Sequence, residues 1–326
     1  MNTTAWLGID LGGSNIQAYA FDDHYQSLGR HKVATMAREG YAAVLQRIAD
    51  SILHFQTSLQ EQGYHIAAIG LCVPGVIESG SERVRIAPNL GWEDVNPIQD
   101  LRQDLALDPG LPIVLINDVN AGLLGELAVR EEQPHSAVAC FCGTGVGGAV
   151  YMHGQLVQGF RGSAGEIGHV VVRAGGKGQD KGVRGSLEAY IGKWALNAKI
   201  KRALKKKTRT ALRELINYDL DTVPIKSSSL KKAWHANDAF THKLMSEYYS
   251  RYLGIALAQV NNLIEPELII LGGGIIEALG EELLPHIEKT MARHCIAEAA
   301  SIQLAALGDL AGARGAAQYA RESRKI

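Results

Sequence analysis

The chain has 326 residues, of which 46% are hydrophobic and 21% are charged, and this composition is typical of a soluble globular protein. The length is too great for one ordinary hydrophobic core and predicts two α/β domains. Because 33 Lys and Arg residues nearly balance 34 Asp and Glu residues, the sequence lacks the basic excess that nucleic acids and anionic membranes attract.

The first residues and the cysteines indicate a cellular compartment. An apolar strand is predicted within five residues of Met1, no signal segment precedes it, and no run of 18 apolar residues is present. The four cysteines are too sparse for the disulfide framework of a small secreted protein. The sequence therefore predicts a cytoplasmic protein without a nucleic-acid or membrane partner.

Apolar runs alternate with helical spacing along the chain. The first series predicts strands at 5–9, 16–21, 67–73 and 113–116, and helices at 41–62 and 119–129. The second series predicts strands at 137–141, 149–152 and 268–271, with helical sequence over about 187–264. Each series contains a buried strand, a glycine turn and another strand, at Asp10–Ser14 and at Gly143–Gly148. This repetition predicts two related domains that face each other across a cleft.

Both glycine turns could approach a phosphate group closely. In Asp10-Leu-Gly-Gly-Ser14, glycine N–H groups and the serine hydroxyl could bind phosphate, and the aspartate could hold Mg²⁺ through water. The alternative for this segment is a tight hairpin turn with a polar tip. Gly143-Thr-Gly-Val-Gly-Gly148 fits the G-x-G-x-x-G pattern. Because a strand is predicted after it, a phosphate-binding hairpin is favoured over a dinucleotide-binding turn, which needs a helix there.

Asn117-Asp118 stands where a predicted strand ends and a helix begins. One interpretation is that Asp118 is the N-cap of that helix. The other is that Asp118 is a general base that accepts a hydroxyl proton during phosphoryl transfer. Taken alone, the pair of residues favours the capping interpretation, because such caps are common.

The segment Gly165-Glu-Ile-Gly-His169 combines a carboxylate and an imidazole. Its two glycines disfavour a stable helix, so a bent segment that presents Glu166 and His169 to one ligand is predicted. The alternative is a histidine that hydrogen-bonds only to local backbone. Cys140 and Cys142 alternate along a predicted strand, and we interpret them as small apolar core residues.

The order of the motifs is more specific than any single one. In sequence they are Asp10-Leu-Gly-Gly-Ser14, Val73-Pro-Gly75, Pro88-Asn-Leu-Gly-Trp92, Asn117-Asp-Val-Asn120, Gly143-Thr-Gly145, Gly165-Glu-Ile-Gly-His169, Leu187-Glu188 and Leu271-Gly-Gly-Gly274. Together they closely resemble the ROK family of sugar kinases and repressors. The resemblance continues to Ala311-Gly-Ala-Arg-Gly-Ala-Ala317 and so covers nearly the whole chain.

The resemblance implies an α/β fold of the actin-like (ribonuclease H-like) class, a two-domain ATPase fold with a central cleft, and a homodimer. It implies an N-terminal domain of residues 1–117 plus about 300–326, and a C-terminal domain of residues 118–299. ATP and Mg²⁺ are the expected cofactors, with Asp10 near the metal through water or phosphate. Nucleotide-binding positions are implied at Asp10, Gly12, Gly13, Ser14, Gly143, Thr144, Gly145, Gly272, Gly273 and Gly274. Asp118 is implied as the catalytic base, and sugar-binding positions are implied at Gly75, Asn89, Asn117, Asp118, Glu166, His169 and Glu188.

One segment departs from the family pattern. The family usually holds zinc with a histidine and three cysteines just before Leu-Glu, whereas Gln179, Lys181 and Ser186 stand at the cysteine positions here. Because tetrahedral zinc requires thiolate or imidazole donors, we expect no structural zinc. We expect polar contacts of Asp180, Lys181 and Arg184 to hold the loop instead.

The resemblance leaves several functions open. The first is phosphorylation of a hexose, of the glucose type, at the 6-hydroxyl. The second is phosphorylation of an N-acetylhexosamine such as GlcNAc or ManNAc. A sugar-responsive repressor would carry a helix-turn-helix segment before the kinase-like part, and Asp10 already belongs to the first glycine turn, so this role is disfavoured. A sugar-binding protein without catalysis is the last alternative.

Overall fold

The computed structural model describes residues 3–104, 110–178 and 183–324. The strands are Thr3–Leu11 (β1), Asn15–Phe21 (β2), Ser27–Ala34 (β3), Tyr64–Val73 (β4), Val76–Ile77 (β5), Val84–Ala87 (β6), Trp92–Val95 (β7), Ile113–Asn117 (β8), Ser136–Cys142 (β9), Val146–Met152 (β10), Gln155–Leu156 (β11), Leu268–Gly272 (β12) and Ser301–Leu304 (β13). The α-helices are Tyr41–Glu61 (α1), Pro97–Asp104 (α2), Asp118–Leu127 (α3), Glu188–Ile191 (α4), Lys193–Lys205 (α5), Leu212–Leu215 (α6), Ser227–His235 (α7), Ala239–His242 (α8), Ser250–Ile264 (α9), Gly274–Ala292 (α10) and Ala311–Ser323 (α11). Short 3₁₀ helices occupy Ala37–Glu39, Ile167–His169 and Gly308–Leu310, and a π-helix occupies Lys243–Tyr249.

The chain forms two compact units. Unit 1 contains Met1–Gln133, Leu156–Ala164 and Asp309–Ile326, and unit 2 contains Pro134–Gln155 and Gly165–Gly308. Helix α3 belongs to unit 1, although the boundary predicted after residue 117 would assign it to the other domain. The physical reason is that α3 packs closely on α11, where a Cβ on Gly315 would overlap the carbonyl oxygen of Ala121.

Unit 1 contains a five-stranded sheet in the order β3-β2-β1-β4-β8. Strand β1 is antiparallel to β2 and parallel to β4, and β4 is parallel to β8. In this register Asp10 pairs with Cys72, and Cys72 pairs with Ile116. The carboxyl ends of β1, β4 and β8 therefore meet at one edge, which is where ligands bind in many open α/β sheets.

Helix α11 packs on the sheet of unit 1 through very small residues. A Cβ on Gly8 of β1 would overlap the carbonyl oxygen of Ala313, and a Cβ on Gly70 of β4 would overlap that of Ala316. Glycine is needed at both positions because the helix backbone itself occupies the space that a side chain would fill. This close packing holds the amino end of α11 next to the carboxyl ends of the strands.

Unit 2 repeats the sheet of unit 1. Its order is β11-β10-β9-β12-β13, with β9 antiparallel to β10 and parallel to β12, and β12 parallel to β13. The repetition of strand, glycine turn and strand predicted from the sequence is thus confirmed. The turn itself is shorter than predicted, since β10 begins at Val146 and only Gly143–Gly145 lie outside the two strands.

The core of unit 2 contains the two cysteines of β9. Cys140 is 0% and Cys142 is 1% exposed, which confirms their interpretation as core residues. The helical sequence predicted for about 187–264 forms separate helices, interrupted by the π-helix that contains Tyr249. Among the described residues, no helix combines the length and the apolar character needed to cross a membrane.

Candidate active site

The first glycine turn is held from its inner side. Gly12 donates its N–H to the Asn15 carbonyl at 2.9 Å. The buried Thr35 donates its hydroxyl to the Gly12 carbonyl at 2.6 Å and its N–H to the Ser14 carbonyl at 2.9 Å. Gly13 and Ser14 are exposed at the outer side. Three hydrogen bonds thus fix the turn while its tip is accessible, which suits a phosphate-binding hairpin.

The side chain of Asp10 is partly buried just below this turn. Its Oδ1 accepts a hydrogen bond from Cys72 Sγ at 3.3 Å, and a Cβ on Gly312 in α11 would lie 2.8 Å from its Oδ2. Burial raises the pKa of Asp10 to about 6; the Cys72 hydrogen bond opposes this rise and the charge of Asp309 adds to it. Asp10 is therefore a desolvated carboxylate whose ionisation is costly without a nearby cation.

The pKa of Asp10 predicts a pH-dependent stability. Because the pKa in the folded protein is about 6, above the ordinary value of 3.8, the protonated form stabilises the fold below pH 4. That stabilisation is lost as the pH rises through 6. We expect Asp10→Asn, which keeps the size but cannot ionise, to stabilise the ligand-free protein by about 2–3 kcal/mol at pH 8 and by little at pH 4.

Urea unfolding of both proteins between pH 4 and pH 8 measures this difference. Asp309→Asn is the control for loss of a neighbouring charge, and we expect it to give a smaller effect. If the free energies of unfolding of the wild type and Asp10→Asn differ by the same amount at every pH, the assignment of the raised pKa to Asp10 is contradicted.

Asn117 and Asp118 form the junction between β8 and α3. Asn117 is the N-cap, because its side-chain oxygen accepts hydrogen bonds from the N–H groups of Val119 at 2.9 Å and Asn120 at 3.0 Å. Its Nδ2 donates to the Gly75 carbonyl and to Asp118 Oδ1, both at 3.0 Å. The capping role that one interpretation gave to Asp118 therefore belongs to its neighbour. Asp118 is the first residue of the helix, and its carboxylate is oriented by the capping residue.

Gly75 and Asn89 lie close to the same edge of unit 1. Gly75 has a φ of +134°, and a Cβ there would overlap the carbonyl oxygen of Ile86, so only glycine fits without strain. The side-chain Cβ and the carbonyl oxygen of Asn89 each lie 3.5 Å from the Cβ position of Gly13. The loop that carries Asn89 therefore contacts the first glycine turn.

Cys72, on the strand between β1 and β8, donates to Asp10, and the motifs did not identify it. Burial, then the charges of Asp10 and Asp118, raise the pKa of its thiol well above the ordinary value. The thiol therefore stays protonated and donates to Asp10. A sequence signal was available, since Cys72 precedes Val73-Pro-Gly75 at the end of a predicted strand. Its position between two carboxylates depends on the strand order.

The second glycine turn lies in unit 2 and is supported by Glu188. Gly143 donates its N–H to the Gly145 carbonyl at 2.9 Å. The Oε2 atom of Glu188, the first residue of α4, accepts the N–H of Val146 at 2.8 Å, and a Cβ on Gly145 would overlap the same carboxylate. Glu188, which the resemblance implies as a sugar-binding residue, thus also holds the turn in place.

Glu166 and His169 lie on a bent segment, as predicted. Residues Ile167–His169 form one 3₁₀ turn, and a Cβ on Gly168 would overlap the carbonyl oxygen of Val146. His169 Nε2 lies 4.0 Å from Glu166 Oε2, and both side chains are about half exposed, at 47% and 50%. The carboxylate and imidazole are therefore accessible together on one side of the segment.

The loop at the family's usual zinc position is held partly by a lysine and two tyrosines. Lys177 accepts the N–H of Gly185 at its carbonyl, at 2.7 Å, and donates its own N–H to the Tyr190 hydroxyl at 3.2 Å. Its ammonium donates to the Tyr248 hydroxyl at 3.1 Å and lies 5.4 Å from the centre of the Tyr190 ring. These contacts join the loop to α4 and the π-helix.

Two of the three residues expected to hold this loop lie outside the described part of the chain. Gln179, Asp180 and Lys181 lie outside the described residues. Ser186 is buried and its hydroxyl accepts the N–H of Ala189 at 3.4 Å, and Arg184 lies near Gly178. Within residues 3–104, 110–178 and 183–324, no group of three or more His, Cys, Asp or Glu side chains could hold a metal ion.

The third glycine turn connects β12 to α10. Gly272 ends the strand, Gly273 has a φ of +85° and is the N-cap, and Gly274 begins the helix. A Cβ on Gly273 would lie 2.6 Å from the Cys142 carbonyl oxygen at the end of β9, so the turn requires glycine there. The predicted loop is therefore a tight strand-to-helix turn next to the second glycine turn.

Comparison with known proteins identifies the family. The family model described as ROK family matches residues 6–323. The chain belongs to the ROK family. A glucokinase from Halalkalibacterium halodurans is 28% identical to this ROK protein over 320 residues, which are 97% of this chain and 94% of the relative.

Solved structures and repressors are also similar to this ROK protein. The structure of a ROK family glucokinase from Streptomyces griseus, in complex with glucose and AMPPNP, has a TM-score of 0.80 at 28% identity and matches 98% of this chain and 99% of its own. The xylose repressor of Bacillus subtilis is 28% identical over 232 residues, 71% of this chain but only 54% of the repressor. The resemblance and the actin-like α/β fold predicted from the motifs are confirmed.

Proposed function

We propose that this ROK protein transfers a phosphoryl group from ATP to a hexose of the glucose type, at the 6-hydroxyl. The observation that carries the proposal is the sheet edge of unit 1. There, the Asp10 carboxylate and a fixed glycine turn lie at the carboxyl end of β1, and Asp118 follows the carboxyl end of β8, with β4 between the two strands. The similarity to glucokinases over nearly the whole chain supports the same reaction.

Asp118 is the proposed general base. It removes the proton from the sugar hydroxyl as that oxygen forms a bond to the γ-phosphorus, while the bond to the ADP oxygen breaks. Asn117 supports this role by donating to Asp118 Oδ1, since that hydrogen bond fixes the direction of the carboxylate. The oxygen Oδ1 also accepts the N–H of Val119 at 2.9 Å.

The sugar is proposed to contact the polar positions that the resemblance implies. These groups are Gly75, Asn89, Asn117, Asp118, Glu166, His169 and Glu188. Carboxylates, amides and imidazole suit a ligand with many hydroxyls, because each hydroxyl can donate one hydrogen bond and accept others. The joint accessibility of Glu166 and His169 supports their inclusion.

The donor is proposed to be ATP, held by the three glycine turns at Asp10, Gly12, Gly13, Ser14, Gly143, Thr144, Gly145, Gly272, Gly273 and Gly274. AMPPNP, which the S. griseus glucokinase structure contains, is an analogue of ATP. Mg²⁺ is proposed near Asp10, whose single partly buried carboxylate suits an ion that keeps most of its water and binds the phosphates. Bound Mg²⁺ would neutralise charge on those phosphates.

An ADP-release assay against a panel of sugars tests the proposal. We expect turnover with glucose and ATP in the presence of Mg²⁺, and weaker turnover with GlcNAc and ManNAc. If the protein is instead an N-acetylhexosamine kinase, turnover with GlcNAc or ManNAc should exceed turnover with glucose, because selectivity depends on what surrounds the 2-position of the sugar. No turnover with any sugar of the panel would contradict the kinase assignment.

The similarity to xylose repressors supports a regulatory role as the second candidate. Such a protein would bind a sugar without turnover. Calorimetry with the same sugars distinguishes this outcome, since binding without ADP release would favour a non-catalytic or regulatory protein.

A homodimer in the cytoplasm is proposed from the resemblance, and sedimentation equilibrium measures the oligomeric state.

A further inference from the structure

A lysine and a serine outside the motifs lie over the third glycine turn. Lys193 is the first residue of α5 and Ser227 is the first residue of α7. The Cβ position of Gly274 lies 3.3 Å from Ser227 Oγ and 3.6 Å from Lys193 Nζ. A hydroxyl and an ammonium group thus meet above the first residue of α10, and all of these residues belong to unit 2.

Lys193 also contacts the second glycine turn. Its backbone N–H donates to the Thr144 carbonyl at 3.0 Å. One residue is therefore anchored to Gly143–Gly145 through its backbone and reaches Gly274 through its side chain. This anchoring limits the positions that the ammonium can occupy, which favours a defined contact over a mobile surface charge.

The chemistry of these groups points to an anion. The Ser227 hydroxyl is buried and has no hydrogen-bond partner among the described residues, although buried hydroxyls are usually paired. Burial lowers the pKa of Lys193, and the charge of Glu277 opposes that shift, so the ammonium is partly desolvated. The first turn of α10, a helix of 19 residues, directs its N–H groups to the same side.

We propose that Lys193 and Ser227, together with the first turn of α10, bind a phosphate group of the donor nucleotide. This inference rests on the proposed function and adds two specific residues to it.

Calorimetric titration with ADP and with adenosine tests the inference. We expect Lys193→Met, which keeps the length of the side chain but removes its charge, to weaken ADP binding about tenfold. The affinity of Lys193→Met for adenosine, which has no phosphate, should differ from that of the wild type by less than about twofold. Lys193→Arg should retain most of the ADP affinity, and Ser227→Ala should weaken ADP binding about threefold. Lys232→Met, an exposed lysine of α7, is the matched control and should change neither affinity.

Each outcome decides a different point. Unchanged ADP affinity in Lys193→Met overturns this inference and leaves the proposed kinase function intact. Equal weakening of ADP and adenosine also overturns it, because the lysine would then shape the pocket without contacting phosphate. Failure of the wild type to bind ADP contradicts the proposed function and the inference together. Thermal unfolding of each variant confirms that the protein titrated is folded.

Discussion

Asp118→Asn should lower the rate of sugar phosphorylation by about 10²–10⁴-fold while leaving sugar binding nearly unchanged. The amide has the size of the carboxylate and can still accept the N–H of Val119, as Oδ1 does now at 2.9 Å, but it cannot accept the hydroxyl proton. The loss should therefore appear in kcat and not in KM, because the base acts in the transition state. The ADP-release assay measures both constants.

The matched control for this prediction is Asp50→Asn. Asp50 is exposed on α1 and accepts a hydrogen bond from Gln46 at 2.8 Å, so the same change of charge is made away from the sheet edge. We expect it to retain wild-type kcat. Unaffected turnover in Asp118→Asn would show that another group removes the proton. A rise in KM alone would indicate that Asp118 only binds the sugar.

Gly8→Ala should destabilise unit 1 by about 3 kcal/mol or more, although the change adds a single methyl group. The new Cβ would overlap the carbonyl oxygen of Ala313 in α11. Because that oxygen belongs to the helix backbone, no rotation of a side chain can relieve the overlap, and α11 would have to move away from β1. The free energy of unfolding in urea measures the effect.

Gly29→Ala is the control within the same sheet. A Cβ on Gly29 in β3 would lie 3.2 Å from a ring carbon of Phe55, and a side chain can shift by a few tenths of an ångström at small cost. We expect a change of less than about 1 kcal/mol. Similar stabilities of Gly8→Ala and Gly29→Ala would mean that α11 is not held against β1 by the glycine contact.

A displaced α11 would also disturb the candidate site. Gly312, in the first turn of that helix, lies against the Asp10 carboxylate, so Gly8→Ala should weaken nucleotide binding as well as stability. The Asp10→Asn variant separates the loss of nucleotide binding from the loss of stability, because it changes the carboxylate and leaves α11 packed against β1. The segment Ala311–Ala317 is rich in small residues because the backbone of α11 packs directly on β1 and β4.

Much of the candidate site could be predicted because its residues are adjacent in sequence to strand ends. The junction at Asn117-Asp118 follows a strong apolar run and occurs in the structure as predicted, whereas the turn predicted at Asp10–Ser14 begins only at Gly12, because β1 continues to Leu11. The capping interpretation named Asp118, although Asn and Asp are almost equally good N-caps. Only the hydrogen bonds of the folded chain assign the cap to Asn117.

Cys72, Lys193 and Ser227 could not be predicted in the same way. The role of Cys72 depends on β4 lying between β1 and β8, which no local pattern specifies. Lys193 and Ser227 are 34 positions apart by their residue numbers and meet over Gly274 only when α5, α7 and α10 pack together. Their residue types are common on helix surfaces, so composition and spacing do not distinguish them from solvated side chains.

The sequence by itself determined the family, through the order of its motifs, and the alternation of strands and helices, because that alternation follows from local periodicity. The tertiary structure decided which carboxylate is buried, which residue caps α3 and which polar groups surround Gly274. Burial and hydrogen bonding between distant segments set those properties, and they exist only once the strand order and the helix packing are formed.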